Sequence, residues 1–423
     1  MYTAFAILAV IALAVQALIL FLAFFGPDLP YEVIEAPDHP LDSREFTELL
    51  ATLTDSQLHP HNRIEALTNG PCFYQAELDA IANARKTINL EAYIFHKGEI
   101  GAKFRDALTE RARAGVKVKL IIDFIGSFSV RKSWFRELIE AGGRVEWYHS
   151  LRLDLIPQIN NRTHRELMVI DGEIGFIGGA GIDDHWYKPT AGDPRWRDTV
   201  CRVTGPAVTS LQSVFAENWL RVSGEILASD DYFHDGTEQA GSIAMIVNST
   251  PAAGSTRARI LFQMLIACAR ERVYITTPYF LPDRSARKAV RKAIAERGVD
   301  IRILTPGTHS DHMLTRGSSE RLYGSLLKAG AKIYEYQPAM IHAKVLIADD
   351  VWSVVGSTNF DHRSFELNDE VNMAVRDAAV ATRLRQDFEK DLRESREITW
   401  EEWRNHRKHR LYEWLGALIA KQE

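Results

Sequence analysis

Several features that would point quickly to a function class are missing or scarce. The three cysteines, Cys72, Cys201 and Cys268, are odd in number, far apart and free of any C-x-x-C pair. That argues against a disulfide framework or a thiolate metal site. Lys plus Arg number 51 against 56 Asp plus Glu, a net charge of −5. There is thus no global basic field of the kind that draws proteins onto nucleic acid, and an anionic substrate must be met by a local patch. No low-complexity tract interrupts the chain. No basic stretch precedes the first apolar run and no small-x-small site follows it, which disfavours a cleaved signal peptide.

What is present begins with that apolar run. From Ala4 to Phe25 only Gln16 is polar. A helix of this length rises about 33 Å, enough for a bilayer core of roughly 30 Å. A retained membrane anchor over residues 1–25 is expected, ended by Gly26-Pro27-Asp28. A proline-rich, acidic tether over 26–65 follows, with a short helix around Ser43–Leu53. The remaining length is room for two domains.

The chain then repeats itself. Ala84–Phe95 resembles Ala269–Phe280, Arg113–Leu120 resembles Glu296–Ile303, Leu138–Gly142 resembles Leu326–Gly330, and His164–Gly178 resembles His342–Gly356. Each of the first three reads as a helix end passing into a strand. The order is the same in both copies. Strands alternating with helices predict an α/β fold with parallel strands covered by helices. The boundary is expected near Ser223–Gly241, giving halves of 66–223 and 241–397 and an amphipathic C-terminal segment over 398–423. That last segment interleaves Trp400, Trp403, Tyr412 and Trp414 with arginines, and packing on the domain or contact with a membrane surface both fit it.

The last repeat carries the chemistry. In the second copy it reads His342-Ala343-Lys344, then Asp349, then Gly356-Ser357-Thr358-Asn359. Residues two apart on a strand share a face, so His342 and Lys344 should project together. A turn at Asp349-Asp350 should return the next strand antiparallel and bring Ser357 and Asn359 alongside. Neutral imidazole can attack phosphorus and hold the phosphoryl group covalently. A second, protonated histidine can supply the leaving oxygen with a proton, while ammonium and carboxamide stabilise the non-bridging oxygens. This chemistry needs no metal or cofactor. Asp171 and Asp349 read as structural residues near the site.

These residues resemble the H-x-K-x4-D signature of the phospholipase D superfamily. The string Asn359–Glu370, with Leu90–Phe95, Trp196–Thr199 and Gly205–Val208, resembles bacterial cardiolipin synthases in particular, and the likeness covers roughly residues 65–415. The resemblance implies two similar α/β/α halves with one active site at their interface. It also implies acidic partners for the histidines, Asp198 for His164 and Glu370 for His342. Such partners fix the tautomer and steady the imidazolium. His164 would be the nucleophile and His342 the acid, with the reverse also open. The implied activity is phosphatidyl transfer at a membrane, with phosphatidylglycerol as substrate and no nucleic acid; hydrolysis and a lipid-binding pseudoenzyme are the alternatives.

The first copy departs from the pattern. It reads His164-Arg165-Glu166, Asp171, then Gly178-Gly179-Ala180-Gly181, so Glu166 stands at the lysine position and Gly181 at the asparagine position. A carboxylate beside a phosphate replaces attraction with repulsion. Three readings stay open. Arg162, Arg165, Arg195, Arg197 or Arg363 restores the positive charge; or Glu166 binds a cationic group or acts as a base; or this half has decayed. Ser357, Glu166, Arg197 and Arg363 are the expected substrate contacts.

Overall fold

The computed structural model describes residues 11, 14–16, 31–148, 161–190, 192–233, 241–250, 257–311 and 313–405. Nearly all of the expected anchor, and the C-terminal residues 406–423, lie outside them. Among the described residues no helix is long and apolar enough to cross a membrane.

One fifteen-stranded mixed sheet organises the chain. The first half supplies β1 (His59–Thr68), β2 (Thr87–Ala92), β3 (Lys117–Asp123), β4 (Arg144–Tyr148), β5 (Leu167–Ile170), β6 (Ile174–Gly178) and β7 (Thr199–Thr204). The second supplies β8 (Ser242–Ser249), β9 (Arg272–Thr276), β10 (Phe280–Leu281), β11 (Asp300–Pro306), β12 (Lys332–Tyr336), β13 (Val345–Ala348), β14 (Trp352–Gly356), β15 (Phe360–Asp361), β16 (Glu370–Arg376) and β17 (Ser395–Ile398). Across the sheet the order is β17-β12-β11-β9-β13-β14-β16-β8-β1-β7-β6-β5-β2-β3-β4, while β10 and β15 form a separate parallel pair. Read outward from the β1–β8 seam, the two halves have the same order, and among the described strands of this sheet only β17 lacks a counterpart. The parallel strands expected from the repeats are β2, β3 and β4 in one half and β9, β11 and β12 in the other. The strands nearer the seam pair antiparallel, so the sheet is mixed rather than parallel throughout.

The seam lies where the sequence suggested a tether. Residues 59–65, including His59-Pro60-His61, belong to β1, which pairs with β7 on one side and β8 on the other. Central strands such as β5 (LMVI) and β13 (VLIA) are buried at every position, as continuous apolar runs covered on both faces should be. Helices Ala207–Ser223 and Ala378–Arg393 cover one face. Their Val208, Leu211, Phe215, Leu384 and Phe388 share a core with Val345 and Val371, so the two halves are cemented together. Trp403 packs on Gly324 and donates from its indole nitrogen to Glu320 O at 2.5 Å.

The aspartates of the repeated motif are structural. Asp171 and Gly172 have φ of 53° and 65°, and Asp349 and Asp350 have φ of 51° and 54°, the left-handed backbone that tight hairpin turns need. The Asp171 carboxylate accepts from the amides of Arg85, Lys86 and Thr87 at 2.7–2.8 Å. Asp349 does the same for Arg270, Glu271 and Arg272 at 2.7–2.9 Å. Each turn thereby fixes the start of the neighbouring strand, and with it the hairpin strand that begins three residues after its own histidine.

Candidate active site

Two short backbone bridges cross between the halves and set the site. Thr163 pairs with Asp369 in parallel, His164 N donating to Asp369 O and Asp369 N to Arg162 O, both at 2.8 Å. Ile341 pairs with Arg197 in the same way, His342 N donating to Arg197 O at 2.7 Å and Arg197 N to Met340 O at 2.8 Å. The residue after each bridge is therefore delivered to a histidine of the opposite half. His164 Nδ1 lies 3.0 and 3.1 Å from the carboxylate oxygens of Glu370. His342 Nδ1 lies 3.0 Å from Asp198 Oδ2. The pairing implied within each half, Asp198 with His164 and Glu370 with His342, is exchanged in the structure. The motif order along the chain could not reveal this, because the bridges join segments far apart in sequence.

Both carboxylates are fully buried and held from behind. Ser357 Oγ donates to Glu370 Oε2 at 2.5 Å and accepts from Val371 N at 3.0 Å, so Ser357, expected beside His342 and the substrate, steadies the acid of His164. Asp198 accepts from Trp186 Nε1 at 3.0 Å and Thr199 N at 2.7 Å. A carboxylate on Nδ1 leaves Nε2 of each ring as the reactive nitrogen. Aromatic rings wall the two imidazoles: Tyr93 lies 5.2 Å from His164, and Trp186 and Trp196 lie 5.2 and 5.6 Å from His342, between ring centres. Tyr93 lies within the Leu90–Phe95 string, where the motif marks no role for it, and no local pattern marks Trp186.

Lys344 projects with His342, as strand geometry predicts. Its Nζ lies 2.8 and 3.0 Å from the two ring nitrogens and donates to His342 O at 2.9 Å and Gly179 O at 3.4 Å. Burial, and then the neighbouring ammonium, push the His342 imidazole down to about 4 against the pull of Asp198, so the ring is neutral near pH 7. Burial also lowers Lys344. Asp198 would be raised by its burial, but His342 and Lys344 hold it below the usual carboxylate range. Asn359 is 4% exposed, and its Oδ1 has no hydrogen-bond partner.

The altered positions of the first copy fit one another. Glu166 Oε1 accepts from the amides of Tyr93 at 3.1 Å and Ile94 at 3.2 Å. Burial pushes this carboxyl well above the usual range, although both amides and Lys344 pull it down. Burial thus works against the charge that would repel a phosphate, which eases the conflict expected from sequence. A Cβ at Gly181 would lie 2.7 Å from Ile94 and 3.0 Å from Glu166 Oε1. A Cβ at Gly179 would lie 2.6 Å from Lys344 Cδ. The glycines thus leave room for Glu166 and for the single lysine.

Among the arginines near the first motif, Arg165 donates to Val214 O and Glu217. Arg197 is committed to Asp391 at 2.8–2.9 Å and to Thr199, so this expected substrate contact instead ties the loop of Asp198 to helix Ala378–Arg393. Arg162 and Arg363 remain on the His164 side, around Tyr93 and Asp123. Among the described residues no cluster of His, Cys, Asp and Glu is placed to hold a metal.

Residues 78–191 and 262–392 match the family described as "Cardiolipin synthase, PLD-like domain", one segment in each half of the sheet. The chain belongs to this family. Its similarity to cardiolipin synthase 1 of Bacillus cereus is 34% identity over 395 residues, covering 90% of this chain and 77% of that protein. The major cardiolipin synthase of Bacillus subtilis is 35% identical over 86% of this chain and 75% of its own. Cardiolipin synthase A of Pseudomonas fluorescens is 35% identical over 85% and 74%. Among solved structures, phosphatidylserine synthase of Haemophilus influenzae superimposes with a TM-score of 0.69 at 14% identity, covering 90% of this chain and all of that one. Polyphosphate kinase of Porphyromonas gingivalis gives a TM-score of 0.54 at 11% identity, over 80% and 49%. These two likenesses concern the fold.

Proposed function

We propose that the protein is a phosphatidyltransferase that makes cardiolipin from two molecules of phosphatidylglycerol through a phosphohistidine intermediate. The observation that carries the reading is the pair of imidazoles, each held at Nδ1 by a buried carboxylate of the opposite half, with Lys344 beside them. One imidazole attacks the donor phosphorus. The other protonates the departing glycerol oxygen. The acceptor's hydroxyl then returns its proton to that second imidazole as its oxygen attacks phosphorus and releases the first. Lys344 and Asn359 stabilise the non-bridging oxygens. No cofactor takes part.

The family resemblance makes His164 the nucleophile. The neutral state of His342 favours the reverse, since attack needs a free lone pair and donation needs a proton. Acid trapping followed by mapping of the phosphorylated peptide separates the two.

A membrane anchor over residues 1–25 completes the reading. The chain following it is seated beside the basic helix Arg284–Arg297: Tyr31 N donates to Ser285 Oγ at 3.1 Å and Lys288 pairs with Glu32 at 2.7 Å. Arg259 lies over the Tyr31 ring and also pairs with Glu366, three residues from Arg363. These contacts tie the residues that follow the expected anchor to the second half, which supports a catalytic body held close to lipid. The test is purified protein with labelled phosphatidylglycerol, followed by lipid chromatography. Cardiolipin with glycerol, lost in His164→Ala and His342→Ala, is expected. Phosphatidic acid alone would indicate hydrolysis, and no turnover would indicate a lipid-binding pseudoenzyme.

A further inference from the structure

Arg162 is 3% exposed, and neither of its terminal guanidinium nitrogens has a hydrogen-bond partner. Its nearest carboxylate, Asp123, is 3.7 Å away and already engaged. Asp123 accepts from the amides of Ile125 at 2.8 Å, Gly126 at 3.0 Å and Thr163 at 3.2 Å. A second guanidinium, Arg363, lies within electrostatic reach of Arg162, and both act on Tyr93. Arg162 is thus a buried cation whose terminal nitrogens lack a partner and whose nearest carboxylate is engaged, and with a second guanidinium close by, the arrangement is one that an anion would complete.

This positive centre is separate from Lys344. The lysine is influenced most by Asp198, Glu370, Glu166 and Asp311, whereas Arg363 is influenced most by Tyr93, Asp361, Arg162 and Asp123. His164 borders both, through Glu370 on one side and the Tyr93 ring on the other. A product in which one glycerol joins two phosphates requires two anion centres, one at the reacting phosphorus and one a glycerol away.

We infer that Arg162 and Arg363 form a second anion subsite that holds the phosphodiester of the acceptor phospholipid while its hydroxyl is aimed at the phosphorus between the histidines. The inference rests on the phosphatidyl-transfer reading. It assigns the first half a task in place of its missing lysine: the donor phosphate is met by Lys344, and the acceptor phosphate by the arginines. Planar guanidinium suits this task because it can grip two phosphate oxygens at once.

The test supplies labelled phosphatidylglycerol together with ethanol, an acceptor that carries no phosphate, and measures cardiolipin and phosphatidylethanol from the same reaction. For Arg162→Gln and Arg363→Gln the ratio of cardiolipin to phosphatidylethanol should fall at least about tenfold, the loss of one charge-assisted contact. The KM for phosphatidylglycerol as acceptor should rise, and Arg162→Lys should recover part of the ratio. A proportional fall of both products, or an unchanged ratio, overturns the subsite. If the parent protein forms neither product, it is the transfer reading that fails. Thermal melting controls for folding, and Arg363→Gln, at a less buried position, carries the test should Arg162→Gln not fold.

Discussion

Replacing Glu166 by lysine restores the residue that the second copy carries at position 344, and should nevertheless damage the protein. Glu166 Oε1 is the side-chain acceptor for the amides of Tyr93 and Ile94. A lysine cannot accept, so both part-buried N–H groups lose their partner at about 1–3 kcal/mol each. The new ammonium would also stand near Lys344, adding repulsion between like charges in a shielded place. A loss of about 2–6 kcal/mol is expected, a large share of the roughly 5–15 kcal/mol that holds an ordinary domain together. Urea denaturation followed by circular dichroism reads the stability, and the labelled-lipid assay reads the activity. Glu166→Gln keeps the accepting oxygen and should stay within about 1 kcal/mol of the parent. A Glu166→Lys protein with an unchanged urea midpoint and a higher cardiolipin output would refute the reasoning and mark Glu166 as a lesion.

Three further outcomes follow from the site. Asp198→Asn should shift the ring NMR signals of His342 and leave those of His164, with Glu370→Gln doing the opposite; each should lower turnover by about 10²–10⁴-fold, as loss of a histidine's carboxylate does elsewhere. Same-half effects would contradict the exchanged pairing. His342 binds a proton more weakly folded, at about 4, than unfolded, near 6.5. The unfolded chain therefore takes up the extra proton, and stability should fall as pH drops from about 6.5 towards 4, by up to ~1.4 kcal/mol per unit. Denaturant midpoints in the parent and His342→Gln check this, the variant being expected to show a shallower slope. Gly179→Ala places a Cβ against the flexible end of Lys344, so it should reduce kcat several-fold with little change in melting temperature; an unchanged kcat would show that the lysine's position does not matter.

The sequence by itself determined the duplicated α/β plan, because apolar strands, glycine stops and the repeated histidine motif are local signals that recur in register. It also determined the hairpin after each histidine, since Asp171-Gly172 and Asp349-Asp350 accept the left-handed backbone the turn needs. His342 and Lys344 were legible together for the same reason: they are two residues apart. Tertiary structure decided everything that crosses the seam. The exchange of Asp198 and Glu370 between histidines arises from backbone bridges between residues more than a hundred positions apart. The diversion of Arg197 to Asp391 and of Ser357 to Glu370 depends on which helix and strand pack behind each loop. The meaning of Glu166 turned on burial: in sequence it is a charge in the wrong place, while in the fold it is a desolvated acid tied to two amides. Contacts and solvation belong to the assembled sheet, and no local pattern encodes them.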